Sequence, residues 1–121
     1  MSIEALWSID FTGVNNNSIA KSGGVVVFET GRVFGGDTWQ LYTGSYSRTD
    51  DGRLKVEIAT DVHHTEGGES IFGGPLRPMQ LSGFATVVAD QKAMFATLEV
   101  VGQPNMWLAA TLKRVAELPN P

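Results

Sequence analysis

The sequence predicts an all-β single domain, an antiparallel up-and-down barrel of about eight strands. Apolar residues alternate with polar ones along most of the chain, and turn clusters rich in Gly, Asn and Asp interrupt that alternation at short intervals. No segment carries the 3.6-residue period and end caps of a long helix. Each strand can pair with its sequence neighbour, and closure then removes the exposed sheet edges. A β-sandwich is the alternative arrangement.

The first strand is read in "EALWSIDF", where Ala5, Trp7, Ile9 and Phe11 share one face against Glu4, Ser8 and Asp10. The turn cluster "TGVNNNS" follows, then "GGVVVFE", then Thr30-Gly31 and "RVFGG". Two β-rich runs parted by a two-residue turn containing glycine form a hairpin signal. In "TWQLYTGSYS", Trp39, Leu41, Thr43 and Ser45 oppose Gln40, Tyr42, Gly44 and Tyr46. The turn at Asp50, Asp51 and Gly52 leads into the most regular strand, in which Leu54, Val56, Ile58 and Val62 oppose Lys55, Glu57, Ala59 and Asp61. Residues 63–78 shift to Gly, Glu and Pro, an irregular connection expected to act as a lid or a crossover between halves. Three more strands are expected over residues 79–89, 93–101 and 106–115.

At 121 residues the chain has the length of one compact domain, residues 1–121. With 9 Lys and Arg against 13 Asp and Glu, the net charge of −4 opposes any role that depends on neutralising phosphates, so no direct nucleic-acid binding is expected. The chain has no cysteine, which excludes disulfides, thiolate nucleophiles and Cys-ligated zinc. No segment approaches the roughly 20 apolar residues of a membrane-spanning helix. The start "MSIEALWSIDFTG" lacks the basic and apolar regions of a secretory signal, so a cytoplasmic protein that does not enter the membrane is expected.

The glycines of the stretch "VVVFETGRVFGGDTWQLYTGSYS" do not fit a phosphate cradle. Gly35-Gly36 leads into another strand, whereas a phosphate loop runs from a strand into a helix, and G-x-G-x-x-G spacing is missing. Gly31 is read as a hairpin turn, Gly35 and Gly36 as a strand bend or bulge, and Gly52 as a turn.

The same stretch resembles the most recognisable segment of the GrlR-like family, bacterial regulators named for a negative regulator of type III secretion. A Gly-led strand, the turn "GRVFGGD" at residues 31–37 and a strand ending in aromatic-x-Gly-x-aromatic carry the likeness. It extends to Trp7, Ser8, Ile9 and Phe11, to "SIFG" at residues 70–73, to "LSG" at 81–83 and to the closing "MWLAATLKRV". The resemblance implies a lipocalin-like barrel, often a homodimer, without catalytic machinery. It further implies transcription regulation through a protein partner, a transcriptional activator that is sequestered with the help of an acidic loop. The matching loop offers Arg48, Thr49, Asp50 and Asp51 as the partner-binding residues, with Arg48 opposing the two acidic side chains.

The polar cluster "DVHHTEGGE" contains Asp61, His63, His64, Glu66 and Glu69. Adjacent residues of an extended chain face opposite ways, so His63 and His64 do not converge on one ion, and a solvated strand end is expected with no metal or cofactor. No G-x-S-x-G nucleophile elbow occurs, and no enzyme activity is expected. The aromatic residues Trp7, Phe11, Phe28, Phe34, Trp39, Phe84, Phe95 and Trp107 either fill the core or line a cavity. An eight-stranded barrel is just wide enough for either, with a filled or nearly filled interior the favoured expectation and a small apolar ligand the alternative.

Overall fold

The computed structural model describes residues 2–120, and its eight strands close into an antiparallel barrel in sequence order. The strands are β1 (Ala5–Val14), β2 (Asn17–Glu29), β3 (Arg32–Gly36), β4 (Gln40–Arg48), β5 (Leu54–Val62), β6 (Met79–Val87), β7 (Ala93–Val100) and β8 (Gln103–Ala116). Closure comes from β1, which pairs with β2 on one side and with β8 on the other. No helix among the described residues is long and apolar enough to cross a membrane.

Three expected boundaries shift, one of them at β8, which begins at Gln103 and not at Met106. Strand β2 begins at Asn17, within the stretch read as a turn cluster, because Asn15 takes a positive φ of 54° and completes a two-residue turn with Asn16. The first half of β2 then pairs with β1, and two register shifts bend it away from β3. Strand β6 stops at Val87, where residues 88–92 turn the chain with Asp90 and Gln91 at positive φ. Strands β5 and β6 are antiparallel neighbours, so residues 63–78 form a long hairpin connection and not a crossover.

Inward-facing residues set the diameter and curvature of the barrel. Gly24, Gly35, Gly44 and Gly83 occupy inward positions, and a Cβ at each would collide with a backbone carbonyl, of Gly36, Val25, Glu57 and Thr97 respectively. The missing side chains let neighbouring strands approach and coil, as a small closed barrel requires. Gly31 (φ 79°) turns the β2–β3 hairpin with Thr30, while Gly36 lies within the unbroken β3 ladder.

Hairpins alternate between the two ends of an up-and-down barrel, and one end here is sealed. Trp7 is fully buried at that end, donates from its indole nitrogen to the Ile3 carbonyl at 3.0 Å and packs edge-on against Phe28 at 6.2 Å. Phe28 packs in turn against Tyr46 at 5.2 Å, and the fully buried Leu54 and Met94 complete the floor. Arg114, with a side chain only 8% exposed, lies 5.8 Å from the Trp7 ring centroid. Its guanidinium donates to the carbonyls of Ser2 at 2.6 Å, Glu4 at 3.3 Å and Gln91 at 3.4 Å, and to the Glu117 carboxylate at 2.9 Å. One side chain thus ties the amino-terminal segment, the β6–β7 turn and the carboxyl-terminal segment together.

Replacing this clasp leaves several carbonyls without their charged donor. Arg114→Met is expected to destabilise the protein by about 1–3 kcal/mol, read as a lower urea midpoint at unchanged m-value.

Candidate functional site: an apolar cavity with a polar mouth

The inward face of β6, β7 and β8 is built from small residues at one level. Ala85 lies opposite Ala96, and Ala96 opposite Ala110, so three alanines stand side by side across three strands. Their short side chains leave a cavity of about 120 Å³. Phe11, Phe28, Val56, Ile58, Leu108 and Leu112 supply much of the remaining wall, which is overwhelmingly apolar. The interior therefore keeps a small empty space, where the sequence favours a filled or nearly filled one.

Several aromatic residues named as possible cavity lining lie elsewhere. Phe34, Phe84 and Phe95 point outward and are 38%, 38% and 54% exposed, while Trp107 lies beside Phe84 and Phe95 along an outer groove. Val33 and Gly35, Gly83 and Ala85, and Met94 and Ala96 hold the inward positions, and the two-residue period then forces the intervening rings out. Trp7 and Phe28 do face inward, as does Phe11. Trp39 stands at the mouth of the cavity, where Lys21, Asp37, Gln40, Thr60 and Glu69 also approach.

Asp37 organises this mouth from the β3–β4 turn. One carboxylate oxygen accepts the backbone N–H groups of Trp39 at 2.8 Å and Gln40 at 2.7 Å, and the other accepts the Tyr42 hydroxyl. Burial, followed by the Asp37 hydrogen bond and charge, raises the Tyr42 phenol far above its ordinary range. Tyr42 therefore remains a neutral donor held by Asp37. On the facing strand, Thr60 is buried and its hydroxyl accepts the Met79 N–H at 3.0 Å. Gln40 extends inward beside them, and its side-chain oxygen is buried with no hydrogen-bond partner.

Residues 63–78 lie across the opening. The Trp39 indole donates to the Glu66 carbonyl at 3.1 Å, and the Trp39 carbonyl accepts the N–H groups of His63 at 2.9 Å and His64 at 3.3 Å. Ser70 is buried, and Ile71 and Phe72 pack against the core, so the middle of this connection is seated on the barrel. The His63 ring contacts the Asp37 carbonyl through Nε2 at 2.9 Å, and both His63 and His64 are exposed. No group of three or more His, Cys, Asp or Glu side chains among the described residues converges as a metal site.

The loop singled out for partner contact lies at the sealed end. Arg48 ends β4 and donates to the Gly52 carbonyl at 3.3 Å; Gly52 has a positive φ of 86°. Asp51 accepts the Thr49 hydroxyl and the Arg53 guanidinium, and these bonds hold its carboxyl below the ordinary range. Asp50 is exposed beside them. The turn thus engages Asp51 internally and presents Asp50 outward.

No family model matches the chain, and a search of curated proteins finds no match.

The Tyr42–Asp37 bond links stability to pH. Because the folded-state phenol titrates above the unfolded value, its contribution is complete below about pH 10 and is lost as pH rises further. Tyr42→Phe is expected to cost about 1–3 kcal/mol near neutrality by leaving Asp37 short of a donor, and to flatten the alkaline decline. Chemical denaturation at a series of pH values checks both effects.

Proposed function

We propose that this protein is a non-enzymatic binding barrel for one small apolar molecule, which it carries or senses in the cytosol. The open apolar cavity beside Ala85, Ala96 and Ala110 is the observation that carries this reading. Three neighbouring alanines leave unfilled space that larger aliphatic residues would occupy, and a void in a packed interior lowers stability. A ligand recovers those contacts. Its entry lies at the polar end, beneath the connection seated on Trp39.

Toluene is a suitable first probe because it is apolar and of the cavity's scale. At ten times its dissociation constant it is expected to stabilise the wild-type barrel by about 1.4 kcal/mol, measured as a rise in Tm. Ala110→Leu fills the space, and its Tm is expected not to respond to toluene. An unresponsive wild type would refute the ligand-binding reading.

A protein-binding regulatory role is the second reading, supported by the resemblance to GrlR-like regulators and by the exposed outer aromatics. Phe84 carries the Arg53 guanidinium at 4.4 Å and the Lys55 ammonium at 4.8 Å from its ring centroid. Phe95 lies along the same outer groove. An exposed apolar face edged by charge is suited to homodimer formation, and the outward Asp50 to contact with a transcriptional activator. Charge reversal by Asp50→Lys with Asp51→Lys is expected to abolish recovery of that activator in a cytosolic pull-down. Unchanged recovery would reject the loop as its contact.

A further inference from the structure

We propose, building on the ligand-binding reading, that the cavity selects a neutral single-ring molecule carrying one hydroxyl group, which Gln40 recognises. The volume of about 120 Å³ limits the buried part of a ligand to roughly one six-membered ring, since a cavity of about 150 Å³ accommodates benzene. The aliphatic and aromatic wall suits the ring.

The unpartnered Gln40 oxygen calls for a donor on the ligand, which a hydroxyl supplies. Nearby donors are engaged elsewhere: the N–H groups of Trp39 and Gln40 and the Tyr42 hydroxyl bond Asp37, and the Met79 N–H bonds Thr60. Gln40 is thereby left as an open acceptor where the apolar wall meets the polar mouth. Half a turn about the last side-chain bond would exchange its oxygen for the NH₂ group, and a hydroxyl answers either orientation because it both donates and accepts.

The apolar wall disfavours any ion, and charge at the mouth adds to this against an anion. Lys21 reaches the opening from β2 and lies 6.0 Å from the Trp39 ring centroid, while Asp37 and Glu69 approach from the β3–β4 and β5–β6 connections. Two carboxylates against one ammonium disfavour an anionic head group. A phenol or a similarly sized cyclic alcohol satisfies volume, hydrogen bonding and charge together.

Phenol, toluene and benzoate titrations against the full chain, followed by amide NMR shifts, test the assignment. Comparison within each variant cancels much of the difference in hydrophobicity between the probes. In Gln40→Met and Gln40→Leu, the affinity for phenol relative to toluene is expected to fall about tenfold from its wild-type value, the effect of losing one buried hydrogen bond. Benzoate is expected to bind more weakly than phenol. Both variants are expected to melt at or above the wild-type Tm, because each removes an unanswered polar atom. An unchanged phenol-to-toluene ratio, tighter benzoate binding, or a lower Tm in both variants would overturn the proposed recognition while leaving the cavity as a toluene site. Failure of all three probes to bind wild type would overturn the ligand-binding reading as well.

Discussion

Closure of β1 onto β8 is the constraint on which the rest of the barrel depends. It brings residues near opposite ends of the chain into one hydrogen-bonded ladder and leaves every strand with a partner on each side. That long-range pairing carries a loop-closure entropy cost, so it needs support beyond its backbone bonds. Trp7 supplies a buried apolar anchor, and Arg114 holds three carbonyls contributed by the amino-terminal segment and the β6–β7 turn. The sealed end is accordingly the better packed part of the molecule.

Above the sealed floor the inner face follows a different design. Glycines there set the curvature, and the alanines that begin level with Leu54 leave residual space. Inward glycines admit close carbonyls from neighbouring strands, while the aligned alanines leave room that the surrounding aliphatic side chains do not fill. The polar mouth is stiffened by Asp37, which fixes two backbone amides and Tyr42 from a short turn. Satisfying those groups leaves Gln40 as the distinctive polar element facing the cavity.

The two ends also separate the candidate roles. Ligand access belongs to the mouth, whereas the Arg48 to Asp51 turn lies at the sealed end, with the exposed Phe84 and Phe95 on the outer wall. A ligand inside and a protein outside need not compete for one surface. Communication between them would run through β4, which starts at Gln40 and ends at Arg48.

The sequence by itself determined the all-β class, most strand positions and the inward identity of Trp7, Leu54, Val56 and Ile58, because local alternation and turn chemistry encode them. Thr30-Gly31 and Asp51-Gly52 could be read as turns for the same local reason. Tertiary structure decided which face of β4, β6 and β7 points inward, since both faces carry apolar residues and the choice depends on neighbouring strands. It therefore placed Tyr42 inside and Phe84 and Phe95 outside. It also joined Asp37 to Tyr42 and aligned Ala85, Ala96 and Ala110. No local pattern distinguishes an alanine beside a cavity from one beneath a large side chain. The empty space and the unanswered Gln40 oxygen emerge only when eight strands close, because both are properties of what the neighbours fail to supply.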